Sequence, residues 1–265
     1  MNIKYIKCKN ALSKSKLPGL DYSLNPYVGC KHNCIYCYAP YILRINREDW
    51  SNNIGIKTNI PSILSRELKN KKRGVIGLST VTDPYQPIEK KYKLTRYCLE
   101  QLIKYDFPVN IQTKSSLIKR DIDLIEKLSK PEVMISIGTI NDNERKILEP
   151  HSSSIKERIN ILETFSKKEI KTSVFLGPIY PTINNNDILK MLDFFIKSNV
   201  KEIMLDNLHL KYGIWNNINY ELKKYPKLKN KFTKEKFVDK KLIDNAYQII
   251  KNKAKHENIK ISTAF

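Results

Sequence analysis

Six short β-branched runs, alternating with five longer amphipathic stretches, recur between Tyr22 and Leu205. This alternation predicts βα units, and such units force the strands parallel because each crossover returns the chain to the same end of the sheet. The runs at residues 22–25, 75–79, 109–113, 133–137, 171–176 and 202–205 read as strands. The stretches at 61–70, 89–105, 121–129, 154–167 and 187–198 read as helices. Asp121-Ile122-Asp123-Leu124-Ile125-Glu126-Lys127-Leu128 opens with acids suited to a helix N-terminus and keeps its apolar residues at helical spacing. Six strands with crossovers make an open doubly wound sheet or a partial barrel, and periodicity does not separate the two.

Beyond Leu208 the strand pattern stops. Residues 222–236 carry seven lysines interleaved with Tyr225, Pro226 and Phe232, which reads as a solvated loop and helix face first and a dedicated nucleic-acid patch second. Residues 240–253 place Leu242, Ile243, Ala246, Ile249 and Ile250 on one helical face, as expected of a segment resting on the main body. The chain is therefore expected to divide into a core at 1–210 and a basic, mainly helical extension at 211–265 packed on it.

Composition narrows the class. A 41% hydrophobic content over 265 residues supplies a continuous core, which excludes wholesale disorder. No apolar run is long enough to span a membrane, and the start has no apolar stretch ahead of a small-residue cleavage site. Five cysteines are too few for a disulfide scaffold, so a cytoplasmic protein with reduced thiols is expected. The net charge of +21 invites a polyanionic partner such as nucleic acid. The basic residues are nonetheless 40 Lys and 8 Arg, a bias that an A- and T-rich genome also produces, and Arg is the better reader of phosphates and bases.

The chemistry lies in Asn25-Pro26-Tyr27-Val28-Gly29-Cys30-Lys31-His32-Asn33-Cys34-Ile35-Tyr36-Cys37-Tyr38-Ala39. Cys30, Cys34 and Cys37 follow the first predicted strand with C-x3-C-x2-C spacing. Three thiolates on one loop can each ligate one iron of a [4Fe–4S] cube and leave the fourth iron open. Three other readings compete. A structural zinc site wants four ligands and would enlist His32 from within the loop. An electron-transfer cluster would need Cys8 or Cys98 as a fourth thiolate, and Cys98 lies in a predicted helix. The three thiols could also be unrelated.

The spacing, with Tyr36 before the third cysteine, resembles the signature of the radical SAM superfamily. The text at 25–39, Thr82-Asp83-Pro84-Tyr85-Gln86-Pro87-Ile88-Glu89, Gln112-Thr113-Lys114-Ser115, Glu149-Pro150 and Gly177-Pro178-Ile179-Tyr180-Pro181 are similar to the spore photoproduct lyase-like branch. That resemblance implies an α/β fold, a partial (β/α)6 barrel of the TIM type. It further implies a [4Fe–4S] cluster held by Cys30, Cys34 and Cys37, S-adenosylmethionine (SAM) on the open iron, and reductive cleavage to a 5′-deoxyadenosyl radical. An external reductant of the flavodoxin or ferredoxin type follows.

In such barrels the site lies at the C-terminal ends of the strands. The resemblance assigns Ser79 and Thr80 to the SAM amino group, Lys114 to its carboxylate, Ser136 to a further hydrogen bond and the Tyr36 backbone to the adenine. Asp83 reads as a turn former or a site residue, Tyr38 and Tyr85 as substrate-facing or packing aromatics, and His209 as a structural histidine or proton donor. The chain departs from the family pattern at one point. The lyase's hydrogen-donating cysteine falls at or beside Thr80, whose strong O–H bond cannot replace a thiol. The expected function is thus a radical SAM enzyme, on nucleic acid first and on a small molecule or peptide second. A non-catalytic, metal-stabilised nucleic-acid-binding module is the alternative from another class.

Overall fold

The structure is a computed structural model describing residues 2–208, 210, 213–237 and 239–264; His209 lies outside the described residues. Its strands are β1 (Asn2–Ile6), β2 (Leu12–Lys14), β3 (Tyr22–Leu24), β4 (Tyr27–Val28), β5 (Asn53–Lys57), β6 (Ile76–Leu78), β7 (Val109–Thr113), β8 (Pro131–Ser136), β9 (Lys171–Leu176), β10 (Glu202–Leu205) and β11 (Lys260–Thr263). Among the described residues an eight-stranded sheet runs in the order β11-β10-β9-β8-β7-β6-β3-β2, and a three-stranded one in the order β1-β5-β4. β3, β6, β7, β8, β9, β10 and β11 pair in parallel, and β2 closes the other edge antiparallel to β3.

The strand order resolves the choice that periodicity leaves open. A doubly wound sheet reverses its order at a switch point, and the reversal puts helices on both faces. Here β3, β6, β7, β8, β9 and β10 follow one another without reversal, so right-handed crossovers set all the helices on one side. The other side must curl inward, which makes a partial (β/α)6 barrel. Burial on both faces agrees: Val133, Met134, Ile135 and Ser136 are consecutive and all buried, as parallel sheets require.

The helices are set by local chemistry. Ile155–Ser166 opens on a capping box, in which Ser154 accepts from the Glu157 N–H and the Glu157 side chain accepts from the Ser154 N–H. The expected 89–105 helix is two, Glu89–Tyr92 and Leu94–Lys104, broken at Lys93 with φ 53°. The break lets the buried Glu89 carboxylate accept from the N–H groups of Thr95 and Arg96, which start the second helix. Cys98 sits fully buried in that second helix.

The C-terminal segment corrects two expectations. A strand follows the last helix: Lys260–Thr263 pairs in parallel with Glu202–Leu205 and extends the sheet. Four residues on an edge, half-exposed, carry too little alternation to be read from sequence. The lysine-rich stretch is also more than a solvated face. Leu222, Leu228 and Phe232 are buried and join Ile214 and Ile218 against Cys34, Ile35, Tyr36 and Tyr180. Lysines at most intervening positions mask these anchors in the sequence. No described helix is long and apolar enough to cross a membrane.

Candidate active site

β4 delivers the chain to the cysteine loop through Gly29, whose φ is +81°. A Cβ there would stand 2.8 Å from the carbonyl oxygens of Trp50 and Asn53, so the position admits glycine alone without a shift. The loop is held by its backbone at both ends. Gln86, fully buried, accepts from Lys31 N at 2.8 Å and donates from Nε2 to the Gly29 carbonyl at 3.0 Å. Cys30 N donates to Trp50 O, Cys37 N to Cys34 O, and Ile35 N to Leu148 O. Arg47 donates from Nη2 to the carbonyls of Asn33 and Cys34 at 3.3 and 3.0 Å, while its Nε and Nη1 are buried without a hydrogen-bond partner among the described residues.

Cys30 and Cys34 are buried and Cys37 half-buried. Burial pushes all three thiols up, Cys30 to about 12, so loading a metal must displace their protons. Lys114 acts against this rise at Cys34, and Arg47 and Lys114 do so at Cys37. No three Cys, His, Asp or Glu side chains among the described residues lie close enough to share one metal ion. A four-iron cube asks for a wider spread, since it takes each thiolate on a different iron.

His32 is a loop anchor rather than a fourth ligand. Its Nδ1 lies 2.9 Å from the His151 carbonyl and its Nε2 3.2 Å from Asp83 Oδ2. Asp83 also accepts from Thr113 Oγ1 at 2.7 Å, Lys114 N at 2.8 Å and Tyr85 N at 2.8 Å. Burial raises its carboxyl, but His32 and these donors outweigh burial and hold it at about 2. Asp83 therefore joins the cysteine loop to the end of β7, where Lys114 begins.

The Lys114 side chain turns inward. Burial pulls its ammonium down, but the Glu149 carboxylate and the Cys34 sulfur more than compensate and lift it above the ordinary lysine value. Glu149 is the second hub. It accepts from the hydroxyls of Tyr36 and Tyr180 on one oxygen, and from Arg158 and the Ser152 hydroxyl on the other. Burial pushes Glu149 up, and Arg158, Lys114 and Tyr36 bring it down to about 2. Arg158, itself fully buried, also donates to the carbonyls of Ser136 and Ser153 at 2.8 and 3.0 Å.

The strand ends that the sequence singles out differ in their surroundings. Ser79, after β6, has a buried hydroxyl with no partner among the described residues. Thr80 is less free: its N–H donates to Asn25 Oδ1 at 3.1 Å, its hydroxyl accepts from Asn25 Nδ2 at 3.4 Å, and its carbonyl accepts from the exposed Tyr38 hydroxyl. Ser136, ending β8, is buried and its hydroxyl accepts from Gln112 at 3.4 Å. The Tyr36 ring is buried against Tyr180, centroids 5.9 Å apart, so what this residue leaves for a ligand is its backbone. Tyr85 is wholly buried and belongs to the packing. Sequence reading missed Gln86, Arg47 and Arg158 as site-builders and gave Glu149 no role. Their partners are mostly distant in the chain, and no local pattern marks them.

The donor set suits an iron–sulfur cluster and its ligand: three thiols on one loop, two cations beside them and an unpartnered serine at the barrel mouth. This is the arrangement of a barrel enzyme built around a metal cluster. The profile of the Radical SAM superfamily matches residues 24–195, and the chain belongs to that superfamily; its cofactors are a [4Fe–4S] cluster and SAM. An uncharacterized protein of Methanocaldococcus jannaschii is 39% identical over 180 residues, covering 67% of this chain and 68% of that one. Among solved structures, spore photoproduct lyase complexed with dinucleoside spore photoproduct matches with a TM-score of 0.71 at 13% identity, covering 99% of this chain and 82% of that one. SuiB of Streptococcus suis, bound to the precursor peptide SuiA, matches with a TM-score of 0.57 at 14% identity, covering 90% and 47%. These two likenesses establish the fold.

Proposed function

We propose that the chain is a radical SAM enzyme acting on a nucleic-acid substrate, with Cys30, Cys34 and Cys37 as the cluster ligands. When bound, the cofactor pair supplies reductive cleavage of SAM to a 5′-deoxyadenosyl radical, and the protein supplies binding, orientation and exclusion of water. In this reading Lys114 pairs with the SAM carboxylate, Ser79 and Thr80 receive the amino group, Ser136 adds a hydrogen bond and the Tyr36 backbone meets the adenine. The observation that carries it is the tie between the cysteine loop and the end of β7: Asp83 lies 3.2 Å from His32 Nε2 and accepts from Lys114 N at 2.8 Å, which sets Lys114 beside the loop of three thiols.

The substrate assignment rests on the net charge of +21 and on likeness to the lyase branch. Thymine-dimer reversal is not proposed, because the position of the lyase's hydrogen-donor cysteine falls at or beside Thr80 and Cys98 is buried mid-helix. A flavodoxin- or ferredoxin-type protein is the proposed reductant, and residues 1–210 and 211–265 the proposed core and extension. The test is anaerobic reconstitution, then dithionite and SAM, with 5′-deoxyadenosine followed by chromatography. Single-stranded DNA, duplex DNA, RNA, peptides and metabolites would be added in turn. Stimulation by nucleic acid supports the proposal; stimulation by a peptide or metabolite alone replaces the substrate, and no 5′-deoxyadenosine at all removes the enzyme.

A further inference from the structure

The segment Ile214–Lys229 has two chemically different sides. Its inner side is the apolar set of Ile214, Ile218, Leu222 and Leu228 that rests with Phe232 on the cysteine loop and Tyr180. It is pinned there by hydrogen bonds: Asn217 Nδ2 donates to the Ile35 carbonyl at 2.5 Å, and the Tyr41 hydroxyl donates to the Gly213 carbonyl at 3.2 Å. Its outer side presents Tyr220, 62% exposed, and Tyr225, 43% exposed. Lys223, Lys224 and Lys227 are exposed around them, and the Lys223 ammonium stands 5.7 Å from the Tyr220 ring centroid.

Tyr220 and Tyr225 are set among cations rather than in an apolar patch. Between Ile214 and Phe237 the sequence has seven lysines against Glu221 and Glu235, which argues for an anionic occupant. Ammonium groups interleaved with flat rings suit an unpaired polynucleotide strand, whose phosphates take the charges while its bases stack. A duplex hides its bases and leaves the rings unused.

Resting on the nucleic-acid reading of the function, we infer that the outer side of Ile214–Lys229 is a single-strand binding surface, with Tyr220 and Tyr225 as base-stacking platforms. The inner side of the same segment lies on the cysteine loop. A strand bound outside is therefore held beside the barrel mouth by a rigid element instead of a mobile tail.

Binding of a fluorescein-labelled oligothymidylate to the reconstituted protein tests this, with a duplex of equal length and with polyglutamate as competitor. Each of Tyr220→Ala and Tyr225→Ala should weaken strand binding about fivefold to a hundredfold, given about 1–3 kcal/mol per stacked base. Tyr220→Phe and Tyr225→Phe should bind as the wild type, since stacking needs the ring alone. Replacing Lys223, Lys224 and Lys227 together by Gln should lower affinity and flatten the log–log salt slope by about 2. The same change at Lys69, Lys72 and Lys167 should do much less. Iron content, thermal midpoint and 5′-deoxyadenosine formed without oligonucleotide should be unchanged in all variants.

Unaltered binding by the two alanine variants overturns the inference, as does equal loss from the two lysine triples, equal affinity for duplex, or equal competition by polyglutamate. Oligonucleotide that stimulates 5′-deoxyadenosine while ignoring the tyrosines would sink this surface and leave the substrate class standing. Absence of both stimulation and binding would remove the two together.

Discussion

Cys30, Cys34 and Cys37 stand on a loop with no redundant thiol, since Cys98 is buried mid-helix and Cys8 lies half-buried after β1. Alanine at any of the three should remove the visible absorbance of the cluster and all SAM cleavage, whereas alanine at Cys8 or Cys98 should leave both; absorbance and iron analysis decide it. Lys114→Ala should spare the cluster and weaken SAM binding roughly ten- to hundredfold, as expected for a charged contact of about 1.5–3 kcal/mol. Isothermal titration on the reconstituted protein measures this. Glu149→Gln strands the Arg158 guanidinium, which is fully buried, and should cost about 3–5 kcal/mol in denaturant unfolding. The pH dependence has a definite sign. Glu149 falls from 4.5 to about 2 and Asp83 from 3.8 to about 2 on folding. Their stabilisation is complete above the ordinary values and is lost as pH drops from about 4.5 through 2, so circular dichroism should show a shallower acid limb for Glu149→Gln. The thiols and Lys114 stand out in the sequence as candidates because their spacing and strand-end position are local. Tyr36, Glu149 and Arg158 were not legible as a unit, because Tyr36 and Glu149 are 113 residues apart.

At the scale of elements, five of the six strands between Tyr22 and Leu205 were legible to within a residue at each end, and the sixth, β8, to within two. A strand buried on both faces announces itself as a continuous apolar run. β4 was missed: two residues hold no period. β1 and β5 were missed too, since they complete each other across 51 positions in a sheet of their own. The misread element with the largest functional consequence is the lysine-rich stretch. Phe232 is 2% exposed and lies 5.9 Å, centroid to centroid, from Tyr180, which meets Tyr36 in turn. Phe232→Ala should therefore cost about 3–5 kcal/mol of stability. It should also shorten the lifetime of the cluster in air, because Cys34 loses part of its cover; bleaching of the visible absorbance reads this directly. A stretch that is mere solvated surface would give wild-type values for both.

For the whole molecule, the strand order carries more weight than any motif. The order could not be read from the sequence because pairing is non-local, yet once it is known the handedness of crossovers leaves one way to place the helices. If the cysteine loop holds the iron–sulfur cluster as proposed, a ligand that binds the folded loop and not an unfolded chain should raise the melting temperature. Calorimetry before and after anaerobic chelation should show the apoprotein melting lower, at the same point as Cys30→Ala. The cover over the cysteine loop has a consequence in time. Cys37 leaves the ribosome 195 residues ahead of Phe232, about 10–40 s at usual elongation rates. For that interval the nascent loop stands open to a cluster carrier. Once Ile214–Phe232 has folded down, its apolar side lies on Cys34 and Tyr36, so loading should be faster on the growing chain than on the finished one.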